Sequence, residues 1–258
     1  MQLSKTEEEI DLLRLNNDLV SRTLAEVAKI IRPGITTLEL DKRAEEFIRD
    51  NGAEPGFLGY NGYPNTLCIS VNDAVVHGIP SGYQLKEGDI VSVDCGTFMH
   101  GYYGDSAYTF PVGEVAPEVQ RLMEVTKRSL ELGIEKALDG LRVGDVSYAV
   151  QQCAEANGFS VVRELVGHGL GRKMHERPEV PNYGYKNRGP KLVEGMVICI
   201  EPMVNMGAKE IYQERDGWTI RTRDGKPSAH FELAVVVRKG KAETLSTFKY
   251  IDEVLKVK

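Results

Sequence analysis

The sequence predicts an α+β fold of two pseudo-symmetric halves, each supplying two helices and a share of a curved, mostly antiparallel sheet with the helices on its outer face. Three observations carry this expectation. The 258-residue chain is 41% hydrophobic and 27% charged, ordinary for a globular protein able to bury a sizeable core. Stretches with 3.6-residue apolar periodicity alternate with short, turn-punctuated β-type runs. The second half also repeats the pattern of the first.

Thr6 and Glu9 form a capping-box pattern that opens a first helix. Its apolar residues Ile10, Leu13, Val20, Leu24, Val27 and Ile31 keep near the helical period until Pro33 and Gly34 stop it. Thr36 and Glu39 open a second helix, closed by Asn51 and Gly52. Short β-type runs with Gly and Pro punctuation occupy roughly 57–112. Pro117 begins a third helix reaching about Ala137, and a fourth covers about Val146–Ala156, ending at Asn157 and Gly158. From 159 onward strand and loop are expected.

Within the repeat, LKEGDIVSVD (85–94) against LVEGMVICIE (192–201) keeps Leu, Glu, Gly, an apolar strand and a terminal acid. RPGITTL (32–38) answers RVGDVSY (142–148), Asn51 and Gly52 answer Asn157 and Gly158, and VHGIP (76–80) answers GHGLG (167–171). No linker separates the halves, about 5–112 and 117–245, so a single domain over 1–258 is expected.

A net charge of −6 and the lack of a Lys/Arg run give no electrostatic footprint for nucleic acid. The opening MQLSKTEEEI is acidic where a secretory signal needs a basic and then an apolar region, and no stretch approaches the ~20 apolar residues of a membrane span. A soluble, unexported protein without membrane partners is expected. Cys68, Cys95, Cys153 and Cys199 form no C-x-x-C pair and read as buried free thiols of a reducing compartment.

The segment DIVSVDCGTFMHGYYGDSAYTF (89–110) reads as a hairpin, yet alternation places Asp94 and Asp105 among packed positions. Both are equidistant from the midpoint of Met99 and His100, so a tight hairpin pairs them directly across strands on one face. Ser92, Ala107 and Thr109 share that face and leave room above it; Val91, Val93, Tyr108 and Phe110 form the opposite, core face. Two carboxylates ~4 Å apart repel by roughly 4 kcal/mol at an effective dielectric near 20, so a cation is expected between them.

The second half adds Glu201 at the end of an apolar strand, Glu232 inside the strand pattern SAHFELAVVV, and His168 in the Gly-flanked turn GHGLG. Four carboxylates and one imidazole suit divalent first-row metals. One divalent ion would leave the four acids at −2 and two would neutralise them, so a pair is expected, the arrangement that activates water for hydrolysis.

At this point the chain resembles the methionine aminopeptidases of bacterial type I, over about residues 5–245. The resemblance rests on DCGTFMHGYYGDSAYTF, GHGLGRKMHERPEVPNY, GMVICIEPMVN and DGWTIRTRDGKPSAHFE. It implies the pita-bread (creatinase/aminopeptidase) fold, with Asp94, Asp105, His168, Glu201 and Glu232 at the metal-ligand positions and Asp105 and Glu232 bridging. It implies substrate contacts near the scissile peptide for His77 and His175, and proton transfer by Glu201. Phe57, Tyr60, Tyr63, Cys68, Met174 and Trp218 would wall a pocket for an unbranched thioether, whose sulfur favours aromatic edges. Asn72 and Ser228 resemble positions near which backbone oxygens hold a monovalent cation. One departure stands out: SAHFEL carries His230 and Leu233 where the family pattern has Gln and His, and alternation puts His230 on the face of Glu232. From there it would reach the metal surroundings or solvent.

The implied activity is removal of the initiator methionine from nascent chains when the second residue is small. The implied cofactors are two divalent ions of cobalt, manganese, iron or zinc, and the implied setting is the cytoplasm, as a monomer in transient contact with the ribosome. Two rivals remain. An Xaa-Pro peptidase of the same fold usually carries a further N-terminal domain, for which there is no room before Leu85. A non-catalytic binding module would have lost metal ligands, and all five positions are intact.

Overall fold

A computed structural model describes residues 3–256. Helix α1 (Glu7–Ile30) starts where the capping box predicts: Thr6 Oγ1 accepts from the Glu9 N–H, and the Glu9 carboxylate accepts from the Thr6 N–H. Thr36 and Glu39 do the same for α2 (Thr37–Asp50). Strands β1 (Glu54–Pro55), β2 (Leu67–Val71), β3 (Ala74–Val76), β4 (Ile90–Met99) and β5 (Tyr102–Pro111) complete the first half.

The second half opens with α3 (Pro117–Ile134), which ends three residues short of the expected Ala137. Helix α4 (Val143–Ala156) begins earlier than its apolar periodicity indicated, because the Arg142 N–H already bonds the Asp145 carboxylate at 2.9 Å and sets the first turn. Strands β6 (Ser160–Val161), β7 (Val166–Gly169), β8 (Glu176–Pro181), β9 (Val197–Ile200) and β10 (Met203–Asn205) follow. Then come β11 (Ile211–Gln213), β12 (Ile220–Thr222), β13 (Ser228–His230), β14 (Glu232–Val236) and β15 (Glu243–Thr244). A last helix, α5 (Lys249–Leu255), replaces the strand and loop expected there. Phe248 holds its N-cap position without a side-chain bond, so the signal that disclosed α1 and α2 is missing.

The repeat is visible in the hydrogen bonds. Gly34 N–H donates to Leu85 O and Leu85 N–H to Ile35 O; Gly140 N–H donates to Leu192 O and Leu192 N–H to Leu141 O. Gly88 and Gly195 take the same left-handed turn, with φ of 87° and 83°, just before β4 and β9. This pairing corrects one sequence match: Arg142 answers the cap residue Thr36, not Arg32, because the turn glycines Gly34 and Gly140 set the alignment.

A nine-stranded sheet runs β1-β4-β5-β14-β9-β7-β8, with β2 also on β4 and β15 on β14, every pairing antiparallel. The halves join where β5 meets β14, Ala107 opposite Glu232. Val91, Val93, Tyr108, Phe110, Ile198, Ile200 and Val235 pack against Leu24 and Val27 of α1, Leu122 and Leu130 of α3, and Val146 and Val150 of α4. That face is the core, so the polar residues of alternate positions are left on the other. Leu233 belongs to the core side, 8% exposed, which explains why an apolar residue suits that position.

Candidate metal centre and active site

The hairpin positions the first two acids, in a register that differs from the expected one. Asp94 pairs with Ala107 and Asp105 with Gly96, because the turn is centred on His100 and Gly101, both left-handed at φ 55° and 79°. The shift is two residues, so both acids keep the same face, but they lie diagonally instead of directly opposed. The space over Ser92 and Thr109 is filled: Ser92 Oγ and Thr109 Oγ1 are 2.8 Å apart, and Thr109 bonds the main chain of His230.

His168 lies in β7 and not in a turn; the irregular register between Gly167 and Gly169 is the local departure that the flanking glycines signalled. Its Nδ1–H donates to Gly169 O at 3.0 Å, which leaves Nε2 as a lone pair 3.6 Å from both Asp105 Oδ2 and Glu201 Oε1. Glu201 follows the end of β9, and Glu232 begins β14 after a break at Phe231. The five expected ligand residues therefore meet at the join between the halves, lining one cavity.

Electrostatics mark the site. Burial raises the pKa of Asp94 to about 7. Burial, with Glu232 and Asp94 nearby, pushes Asp105 well up; burial with Asp105 and Asp94 does so for Glu201, and burial with Glu201 and Asp94 for Glu232. Burial lowers His168 to about 3 and His77 to about 4, so both rings are neutral at pH 7. Asp94 Oδ1, Asp105 Oδ1 and Glu232 Oε1 are buried without hydrogen-bond partners. Each such atom costs about 1–3 kcal/mol unless something binds it. Oxygen donors that crowd together, lack partners and include one imidazole lone pair fit a divalent metal site.

Sequence reasoning missed one member of this cluster. Ligand atoms of Asp105, His168, Cys199 and Glu232 all lie within 4.8 Å of one another. Cys199 was read as a buried free thiol, yet Ile198 pairs with Gly169, which sets Cys199 beside His168 and brings its Sγ within 4.8 Å of a Glu232 carboxylate oxygen. No spacing rule reveals that proximity, because three strands contribute to it.

The cavity, about 360 Å³, is also lined by Phe57, Tyr60, Tyr63, Cys68, His77, His175, Trp218 and His230. Tyr63 and Trp218 meet edge to face at 5.1 Å, and Tyr60 Oη lies 2.8 Å from His175 Nδ1. Met174 sits behind the wall: it is fully buried in a cluster with Leu170 and Cys199, against which Phe57 packs. Val76, Leu165 and Met203 supply apolar lining not foreseen from the sequence. Asn72 O accepts from the Ser228 N–H at 2.9 Å, so those two residues are neighbours. His230 is 1% exposed and in the cavity, which excludes a solvent-facing ring.

A curved antiparallel sheet with buried, convergent carboxylates defines a metallopeptidase, and residues 11–239 match the model of metallopeptidase family M24. A methionine aminopeptidase of Clostridium perfringens is 52% identical over 249 residues, covering 96% of this chain and 100% of that protein. Crystal structures of methionine aminopeptidases from Thermotoga maritima and Rickettsia prowazekii superpose with a TM-score of 0.94 each, at 42% and 38% identity, covering 96% of this chain and 100% of theirs. The chain belongs to the methionine aminopeptidases of this family.

Proposed function

We propose that the chain removes methionine from the N-terminus of nascent polypeptides whose second residue is small, using two divalent ions held by Asp94, Asp105, His168, Glu201 and Glu232. The observation that carries this reading is the set of buried carboxylates with partnerless oxygens around the His168 lone pair. Cobalt, manganese, iron and zinc all suit such donors, and availability selects among them. Such a pair, when bound, supplies acidified water and polarises the scissile carbonyl.

The protein's own groups do the rest. Glu201, in the cavity at the end of β9, accepts a proton from the attacking water and delivers it to the departing amine. His77, neutral with its pKa down at about 4, stabilises developing charge as an N–H donor and not as a cation. The Tyr60 hydroxyl, 2.8 Å from His175 Nδ1, fixes the His175 ring in the cavity, where it contacts the substrate near the scissile peptide. Phe57, Tyr60, Tyr63, Cys68 and Trp218 hold the methionine side chain.

The same reading makes 1–258 one catalytic domain, active as a cytoplasmic monomer in passing contact with the ribosome, with a monovalent cation near Asn72 and Ser228. Among the described residues no helix is long and apolar enough to cross a membrane. The test combines calorimetric metal titration with hydrolysis of Met-Ala-Ser, Met-Leu-Ser and Met-Pro-Ser, with and without chelator. Two ions per chain and chelator-sensitive cleavage of Met-Ala-Ser over Met-Leu-Ser are expected. Saturation below two ions, or equal cleavage after bulky second residues, would overturn it.

A further inference from the structure

His230 is held rigidly in the cavity with a nitrogen that bonds nothing. Its N–H donates to Thr109 Oγ1 at 2.9 Å, the Thr109 hydroxyl donates to its carbonyl at 2.8 Å, and β13 pairs it with Met203 of β10. Its Nε2 is buried without a partner and lies 3.8 Å from Glu201 Oε2. A polar atom left unsatisfied on so fixed a backbone lowers stability, and such groups survive where they are used. An imidazole always carries at least one ring N–H, and the partnerless Nε2 is the nitrogen that faces a carboxylate.

The Glu201 carboxylate stands between two imidazoles, one on each oxygen: His168 Nε2 is 3.6 Å from Oε1 and His230 Nε2 is 3.8 Å from Oε2. We infer that His230 is a positioning residue for Glu201, donating Nε2–H to Oε2 and so directing Oε1 toward the reacting centre. A modest rotation of either side chain closes the gap to the ~2.8 Å of a charge-assisted hydrogen bond. Without this donor, Oε1 and Oε2 exchange by rotation and the proton acceptor loses its aim. This role rests on the assignment of Glu201 as proton acceptor.

The test pairs His230→Leu, which removes the donor, with His230→Gln, which keeps an N–H. On Met-Ala-Ser, the Leu variant should lose roughly 10- to 100-fold in kcat, the scale of orienting partners at metal sites, with KM within about twofold. The Gln variant should recover most of that loss. An independent readout needs no activity: nitrogen NMR of the histidine side chains in metal-free protein, where only 5 rings are present. It should show His230 protonated at Nε2, with a resonance that moves in Glu201→Gln. A rise in KM at unchanged kcat would place His230 on the substrate and overturn the inference, as would wild-type kinetics for the Leu variant or an Nδ1–H tautomer. If the Leu variant does not fold, the Gln variant and the NMR arm still decide. If even the wild type leaves Met-Ala-Ser intact, the proposed function fails while the NMR result still settles the His230–Glu201 contact.

Discussion

The two halves reach the same cavity by opposite means. In the first, β4 and β5 pair without interruption from Ile90 with Pro111 to Met99 with Tyr102, and alternation alone carries Asp94 and Asp105 to the inner face. In the second, each proposed ligand sits at a defect: His168 at the irregular β7 pairing, Glu201 one residue past β9, and Glu232 just after the break at Phe231. A regular ladder can aim side chains only perpendicular to the sheet, so converging on an ion from several directions requires breaks. The hairpin is a floor, and the interrupted strands are the walls.

The contrast is broken most severely by removing an acid from either half. Asp105→Asn and Glu232→Gln should each lower kcat/KM by at least about 10³-fold, roughly 4 kcal/mol of transition-state stabilisation. Because each acid is destabilised by burial and by its acidic neighbours, the same variants should make metal-free protein more stable, read as a raised midpoint of urea denaturation. Equal losses from both halves would show that floor and walls share the load; a mild Glu232→Gln would show that the hairpin suffices.

A methyl group distinguishes floor from wall. At Gly167 a Cβ would meet Cys199 O at 2.4 Å, and the backbone of β9 cannot yield, so Gly167→Ala should displace His168 and weaken metal affinity about 10- to 100-fold by calorimetry. At Gly96 it would meet the Phe57 ring at 2.6 Å and the end of Met174 at 2.9 Å, which can move. Gly96→Ala should therefore raise KM for Met-Ala-Ser by about 2- to 10-fold while metal affinity stays level. Reversed phenotypes would refute the division of labour.

Acidity gives a third handle, in metal-free protein. Histidines held at about 3 to 4 in the folded state refuse protons that the unfolded chain binds, so their contribution rises with pH up to about 6.5 and is then constant. Carboxylates with raised pKa do the reverse: stability falls from about pH 4 through their folded values, about 7 for Asp94. Once the unfolded histidines are neutral only the acids tip the balance, so stability should drop as pH rises through about 7, by up to about 1.4 kcal/mol per pH unit for each proton that the folded acids hold and the unfolded chain has released, with thermal midpoints falling in step. Saturating metal should abolish the drop, and an apo protein that gained stability over that range would contradict the crowding of these acids.

The smallest effect lies far from the site, at the matched helix starts. Thr36 caps α2 with its hydroxyl, whereas Arg142 begins α4 without a side-chain cap: its main-chain N–H bonds the Asp145 carboxylate and its guanidinium turns away to Gly189 O. Thr36→Ala should cost about 1 kcal/mol, and Arg142→Thr should gain a few tenths, with kcat unchanged in both.

Much of this was legible from the residues. The capping boxes located α1 and α2, the repeat foretold two joined halves, and charge crowding, interrupted strand patterns and the Gly-flanked His168 singled out five residues that line one cavity. The hairpin register was misplaced by two because residue spacing does not choose a turn; His100 and Gly101 accept left-handed conformations that Met99 would resist. The resemblance put Met174 in the pocket wall, but it is fully buried in a cluster against which Phe57 packs and does not line the cavity, and exposure is a property of packing. Cys199 and His230 gained their importance from strands that meet only after folding.

Sequence by itself determined the elements, the duplication and which side chains are chemically able to hold divalent cations, because caps, periodicity and ionisation are local properties of residue types. Tertiary structure alone decided that Asp94 and Asp105 sit diagonally, that the Cys199 thiol lies within 4.8 Å of Glu232, and that the His230 imidazole faces Glu201. Those relations depend on strand register and on the depth of burial, which arise from the joint packing of β5, β7, β9, β13 and β14 and have no counterpart in any one segment.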